Sequence, residues 1–205
     1  MRFLGLSVVL LFGLIWLGVT LFLRIKKNKS FVFLLFFSIF YIYLYKVLDF
    51  TLFQYQFLLL LKYFMPGLRL NGQTAGSAIN LIPLITLTPD DLRTSLLNIL
   101  LTIPFGFGLP FITRLRMKEV TIIGAIFSIT IEILQFTSGL LAKITFRVAD
   151  INDVMFNTVG VAVGYILFLG FMRLFHYVFH NREAVTNPIL RYIADLQQKD
   201  ELGRA

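Results

Sequence analysis

The sequence predicts an all-α integral membrane protein with about five transmembrane helices, its N-terminus outside and its C-terminus in the cytoplasm. Three observations carry this. The 205 residues are 58% hydrophobic and 15% charged, where soluble domains run about 45–50% apolar and about 25% charged. The apolar residues fall in runs long enough to cross a hydrocarbon core of about 30 Å. The basic residues cluster between those runs, as they do in cytoplasmic loops.

The same composition excludes several classes. A mean hydropathy of +0.82 is the opposite of the disorder signature. The chain has no Cys, which removes disulfides, thiol nucleophiles and Cys-ligated metals. A net charge of +8 raises nucleic acid as a partner, but no basic stretch interleaved with aromatics offers it a seat. Membrane lipids are the expected partners, and nucleic acid is not one.

Taking the elements in order, residues 3–23 form a first span without a charge. The run is too long for a signal-peptide core, and Arg24, Lys26, Lys27 and Lys29 follow it instead of a cleavage site. A second span covers about 31–52, with Lys46 and Asp49 placed to pair at i, i+3. A short helix near 53–65, rich in Tyr and Phe, lies at the interface or re-enters the membrane, and Pro66-Gly67 ends it. A polar connection follows. Pro89-Asp90-Asp91 then opens a helix, capped by Thr88, with both carboxylates at the positive end of its dipole. The third span, about 96–113, contains Pro104 and Pro110 and is expected to kink, its freed carbonyls needing partners from neighbouring helices. The fourth covers about 120–141 and the fifth about 150–171. A basic, partly amphipathic tail ends the chain.

Charge sets the orientation. Residues 24–29, 114–118 and the tail from Arg173 together hold twelve of the 19 basic residues. Placing all three inside requires an odd number of spans and puts the loops near 66–95 and 142–150 outside.

The last three spans carry polar residues where lipid-facing chain would not. Glu132 sits near the middle of the fourth span, with Ser128 and Gln135 on the same helical face. An ionisable group at that depth costs several kcal/mol unless paired, neutral or hydrated, and marks a candidate site. Asp150, Asp153, Asn157, Gly160 and Gly164 make a stripe on the fifth span, its two glycines permitting close helix approach. Ser95, Asn98, Thr102 and Gly106 make another on the third. These stripes are expected to face one another, with Arg147 above them. Three arrangements then compete for Glu132. Arg147 reaches inward to it, the 142–149 connection dips into the bundle, or a protonated Glu132 bonds Asn98 or Asn157.

Four functional readings follow from these residues. In the plainest, the polar groups are interhelical hydrogen bonds that hold the bundle. In the others, Arg147 and the amides bind an anionic headgroup, or Glu132, Asp150 and Asp153 hold a divalent cation, or Glu132 relays protons in a small transporter. No hydrolase triad and no phosphate-cradling glycine loop is present. His176 and His180, at i, i+4, have no third ligand nearby and read as interfacial residues.

The stretches NLIPL (Asn80 to Leu84), NILLTIPFGFGLP (Asn98 to Pro110), SITIEILQ (Ser128 to Gln135) and R-x-x-D-I-N-D-V-x-x-N-T-x-G (Arg147 to Gly160) together resemble the VanZ-like family over roughly residues 80–172. Leu84 stands where that family often has Phe. The resemblance implies a multi-pass protein of the bacterial plasma membrane, from a family linked in some members to lowered susceptibility to glycopeptides such as teicoplanin. It carries over the polar positions Asn80, Asn98, Glu132, Gln135, Arg147, Asp150, Asp153 and Asn157 as the candidate site. The expected organisation is an N-terminal two-span region (1–79), a VanZ-like three-span domain (80–172) and a basic cytoplasmic tail (173–205). The expected role is at the cell envelope, acting on access of a lipid-anchored glycopeptide or on a lipid-linked cell-wall precursor. The alternatives are a metal-dependent enzyme acting on an envelope lipid or isoprenoid phosphate, and a proton-coupled transporter or flippase. No cofactor is assigned.

Overall fold

The computed structural model describes residues 2–53, 79–84, 89–142, 149–179 and 187–202. Six helices account for nearly all of them: α1 (Arg2–Ile25), α2 (Phe31–Leu48), α3 (Pro89–Ile112), α4 (Met117–Ala142), α5 (Ile151–Val178) and α6 (Pro188–Leu202). A π turn (Asp49–Phe53) extends α2. Two short strands, β1 (Ile79–Asn80) and β2 (Ala149–Asp150), pair in parallel. Helices α1 to α5 are each long and apolar enough to cross a membrane.

Two span boundaries differ from the sequence-based expectation. Helix α3 begins at Pro89 and runs into the third span without a break; Thr88, the expected cap, lies outside the described residues. Helix α5 continues to Val178 instead of ending near 171, because the Phe- and Leu-rich turns after Gly170 keep a buried face while Arg173 and His176 point outward. Lys46 and Asp49 do pair, at 3.6 Å. Of the expected short helix near 53–65, only Phe53 lies within the described residues.

Helix α1 is peripheral. It meets α2 through Trp16, whose indole donates to Ser38 Oγ at 3.0 Å, and through Tyr41, whose hydroxyl donates to Phe12 O at 2.8 Å. Its other faces expose Leu10, Leu14, Leu17 and Leu21, as a lipid-facing helix requires.

The core is the α3–α5 pair. Residues 99–107 of α3 meet Gly160 and Gly164 of α5 in ascending order, so the two helices run parallel. A Cβ at Gly160 would collide with Ile99 and Thr102, one at Gly164 with Ile103, and one at Gly106 with Val161. Lipid supplies no hydrophobic force between helices, so close backbone contact through small residues takes its place. Helix α4 packs on the other side, with Gly124 against Val161.

Helix α2 bonds α3 beside the first of its prolines. Pro104 removes an N–H from α3 and crowds the turn before it. The Tyr43 hydroxyl reaches this turn and donates to Leu101 O at 2.8 Å, next to the Leu100 carbonyl that Pro104 leaves without its N–H.

The two ends of the bundle differ in kind. At one end the α1–α2 turn, the α3–α4 turn and α6 surround a common pocket with Lys29, Arg114 and Arg116 in its lining. The strand pair and the π turn lie at the other end, around Glu132, Gln135 and Asp150.

Candidate functional site: a buried polar cluster where α5 begins

The cluster exists because α5 starts inside the bundle. Helix α4 continues ten residues past Glu132 to Ala142, about 15 Å of helix. Yet the Asp150 backbone N–H donates to Glu132 Oε2 at 3.3 Å. Ala149 and Asp150 therefore lie back at the level of Glu132 where α5 begins. Segment 79–84 enters at the same level, since Ile79 pairs with Ala149 and Asn80 with Asp150.

Non-helical backbone at membrane depth is tolerated only where protein or water satisfies its polar groups. Here side chains join the strand pair in doing so. Asn80 Nδ2 donates to Asp150 Oδ1 at 3.0 Å, and Asn80 Oδ1 accepts from the Ile82 backbone N–H at 3.1 Å. Leu84 holds a left-handed φ of 59°, and its N–H donates to Asn152 Oδ1 at 2.9 Å. Asp150 caps α5 by accepting from the Asn152 backbone N–H at 2.8 Å. Asp150, Asp153 and Glu132 thus surround the positive end of the α5 dipole.

One turn further in, the three polar stripes meet. Asn98 Nδ2 donates to Asp153 Oδ1 at 2.5 Å. Thr102 Oγ1 donates to Asn157 O at 2.8 Å, and Asn157 Nδ2 donates to Ser128 Oγ at 2.7 Å. Asn98, Thr102, Ser128, Glu132, Asp153 and Asn157 are all buried. They border a cavity of about 10 Å³, the size of a single water. The Asn157 Oδ1 and Gln135 Oε1 atoms are buried without a hydrogen-bond partner among the described residues, and both residues line that cavity. Gln135 also reaches across to α2, donating to Thr51 O at 2.9 Å. Thr51 lies in the π turn, where the i→i+5 register departs from the ordinary helical ladder.

Seven of the eight sequence-derived candidates therefore come together at one end of the bundle: Asn80, Asn98, Glu132, Gln135, Asp150, Asp153 and Asn157. Arg147 and His180 lie outside the described residues, and His176 is exposed. Two details differ from expectation. Asp150 does not continue the helical stripe of Asp153 and Asn157. It stands before the helix in extended conformation (φ −120°, ψ 124°) as its cap. The Asn98 and Asn157 amides go to Asp153 and Ser128, and Glu132 instead receives the Asp150 backbone.

Asn152, the Leu84 backbone N–H and the Thr51 carbonyl join the cluster without having been among the sequence-derived site candidates. Asn152 stands inside the D-I-N-D stretch, two residues after a capping Asp, which is a readable signal. A π turn and a single backbone carbonyl leave no comparable one. Among the described residues, no three of His, Cys, Asp and Glu are gathered closely enough to hold a metal ion.

The family model described as VanZ/LLP1 matches residues 50–176, more than half of the chain. The chain belongs to the VanZ-like family. No match to a curated protein or to a solved structure was found. The VanZ-like match runs from the π turn of α2 to near the end of α5, and so contains every residue of the buried cluster, while α1 and α6 lie outside it. The VanZ-like chain is thus a multi-pass membrane protein whose shared region is the α3–α5 core with its two paired strands.

Proposed function

We propose that this VanZ-like protein acts at the bacterial cell envelope, lowering susceptibility to lipid-tailed glycopeptide antibiotics from a polar site that opens toward the outer leaflet of the plasma membrane. The observation that carries the reading is that the cluster lies at the end of the bundle opposite the basic turns. Basic turns favour the cytoplasm, so the cluster end faces outward. In this reading Arg147 is held over the cluster by Asp150 or Asp153, and Glu132 forms the inner floor. The guanidinium and the positive end of α5 engage an anionic headgroup of the outer leaflet. The cavity among the described residues is water-sized, so headgroup contact takes place at its rim.

The test is drug susceptibility of cells expressing the wild-type chain, Arg147→Ala and Asp153→Asn. Burying an acyl chain contributes about 0.8 kcal/mol per CH₂ to membrane binding, so drugs with a tail depend on the bilayer and vancomycin does not. Protection against teicoplanin-type drugs that is absent for vancomycin and lost in Arg147→Ala is the expected result. Equal protection against both drugs, or full protection by Arg147→Ala, overturns the reading.

A second reading makes Glu132 a proton relay in a small transporter, supported by its place beside the water-sized cavity. It requires that the phenotype vanish when the proton gradient is dissipated. The first reading requires that it persist.

A further inference from the structure

The basic end of the bundle holds a larger and separate cavity. It measures about 690 Å³, within the range of about 300–1,000 Å³ typical of small-molecule sites. Its mouth and its floor differ in chemistry. Lys29 comes from the α1–α2 turn, and Arg114 and Arg116 from the α3–α4 turn; Asp195 is the one carboxylate in the lining. Lys29 and Arg114 have no carboxylate partner among the described residues. Phe111, Phe168 and Met172 are apolar, buried and part of one packed cluster, and each also lines the cavity.

Helix α6 forms one wall. Tyr192 donates its hydroxyl to Phe111 O at 2.6 Å and stacks on Phe36 with ring centroids 5.4 Å apart. Ile193 is buried in the same cluster as Phe111 and Phe175. The tail is thus docked against the membrane bundle and bounds a crevice that is cationic at its turns and apolar within.

We propose that this crevice binds one anionic glycerophospholipid, its phosphate between Lys29 and Arg114 and an acyl chain along Phe111, Phe168 and Met172. Charge complementarity selects the ligand. Two cations without a carboxylate partner favour a phosphate over a neutral headgroup, and basic pockets between membrane helices suit acidic lipid headgroups. The apolar floor favours a lipid over a free phosphate, because an inorganic ion leaves the floor unfilled. The site shares no residue with the buried polar cluster and does not depend on the proposed antibiotic role.

The test uses the full chain purified in neutral detergent micelles, with retained adducts counted by native mass spectrometry. Dioleoyl phosphatidylglycerol, dioleoyl phosphatidylcholine and inorganic phosphate are added in separate titrations. One phosphatidylglycerol per chain, held at least about tenfold more tightly than phosphatidylcholine, is expected. The double variant Lys29→Gln/Arg114→Gln should erase that preference. Leu169→Trp, which fills the crevice without changing charge, should reduce phosphatidylglycerol retention as well. Three results each overturn the proposal: equal retention of the two lipids, phosphatidylglycerol retention unchanged in both variants, or inorganic phosphate binding as tightly as phosphatidylglycerol.

Discussion

The Asn98 amide donates to the Asp153 carboxylate across 2.5 Å, joining α3 to α5 at the level where α5 has only just begun. The two residues are 55 positions apart in the chain, and both are buried. Hydrogen bonds between membrane helices contribute about 0.6 kcal/mol on average and rarely more than about 1.7. Asn98→Leu should therefore lower the thermal stability of the detergent-purified protein. In a double-mutant cycle with Asp153→Asn, a coupling of about 0.5–2 kcal/mol is expected. Additive effects would show that the contact carries no energy.

Tyr43 and Pro104 should be coupled in the same way. Tyr43→Phe removes the hydroxyl that donates to Leu101 O, next to the Leu100 carbonyl that Pro104 leaves without its N–H, and should cost about 0.5–1.5 kcal/mol. Pro104→Ala restores the missing N–H and lets the α3 ladder close. Tyr43→Phe should then be milder in the Pro104→Ala background, as read by melting in detergent. An equal cost in both backgrounds would assign the Tyr43 effect to ring packing.

Gly160→Ala and Gly164→Ala should sharply reduce membrane abundance, since each added methyl meets backbone of α3. Gly170→Ala, on the same helix, meets nothing within 4 Å and should leave abundance unchanged. Normal abundance of both Gly160→Ala and Gly164→Ala would mean that the two helices separate at little cost.

Docking of α6 should weaken at high pH. Burial pushes the Tyr192 hydroxyl above its ordinary value of 10.0, and Arg114 offsets this in part. A raised value in the docked state means that the contribution is full below about pH 10 and is lost as pH rises through the docked-state value. Protease cutting between α5 and α6 should accelerate above about pH 10 in the wild type. Tyr192→Phe should abolish that pH dependence. The same acceleration in Tyr192→Phe would assign it to another group.

The orientation has its own check. A reporter active only outside the cell should work when fused at Gln73 and fail when fused at Asn28 or after Ala205. The reverse pattern would invert the bundle and place the polar cluster in the cytoplasm.

The five spans were legible because apolar length and basic punctuation are properties of composition along the chain. The meeting of the stripes was legible because Asn98 and Thr102 on α3, Ser128 and Glu132 on α4, and Asp153 and Asn157 on α5 repeat at three or four residues, the period that puts side chains on one face. The strand pair was not. Ile79-Asn80 and Ala149-Asp150 are two residues each, too short for any periodicity, and they find each other only because helices fixed elsewhere bring them to one level. The pairing of Glu132 with a backbone N–H was illegible for a related reason. Backbone groups are the same in every sequence, so only the path of the chain says which one arrives.

That path ties two distant loops together mechanically. Asn80 and Asp150 share one ladder, and Leu84 is fastened to Asn152 on the first turn of α5. A displacement of segment 79–84 is therefore transmitted to the start of α5 and to the N–H that Glu132 receives. The two strands and the first turn of α5 thus bear load as one piece, and a force on either strand is felt at the other.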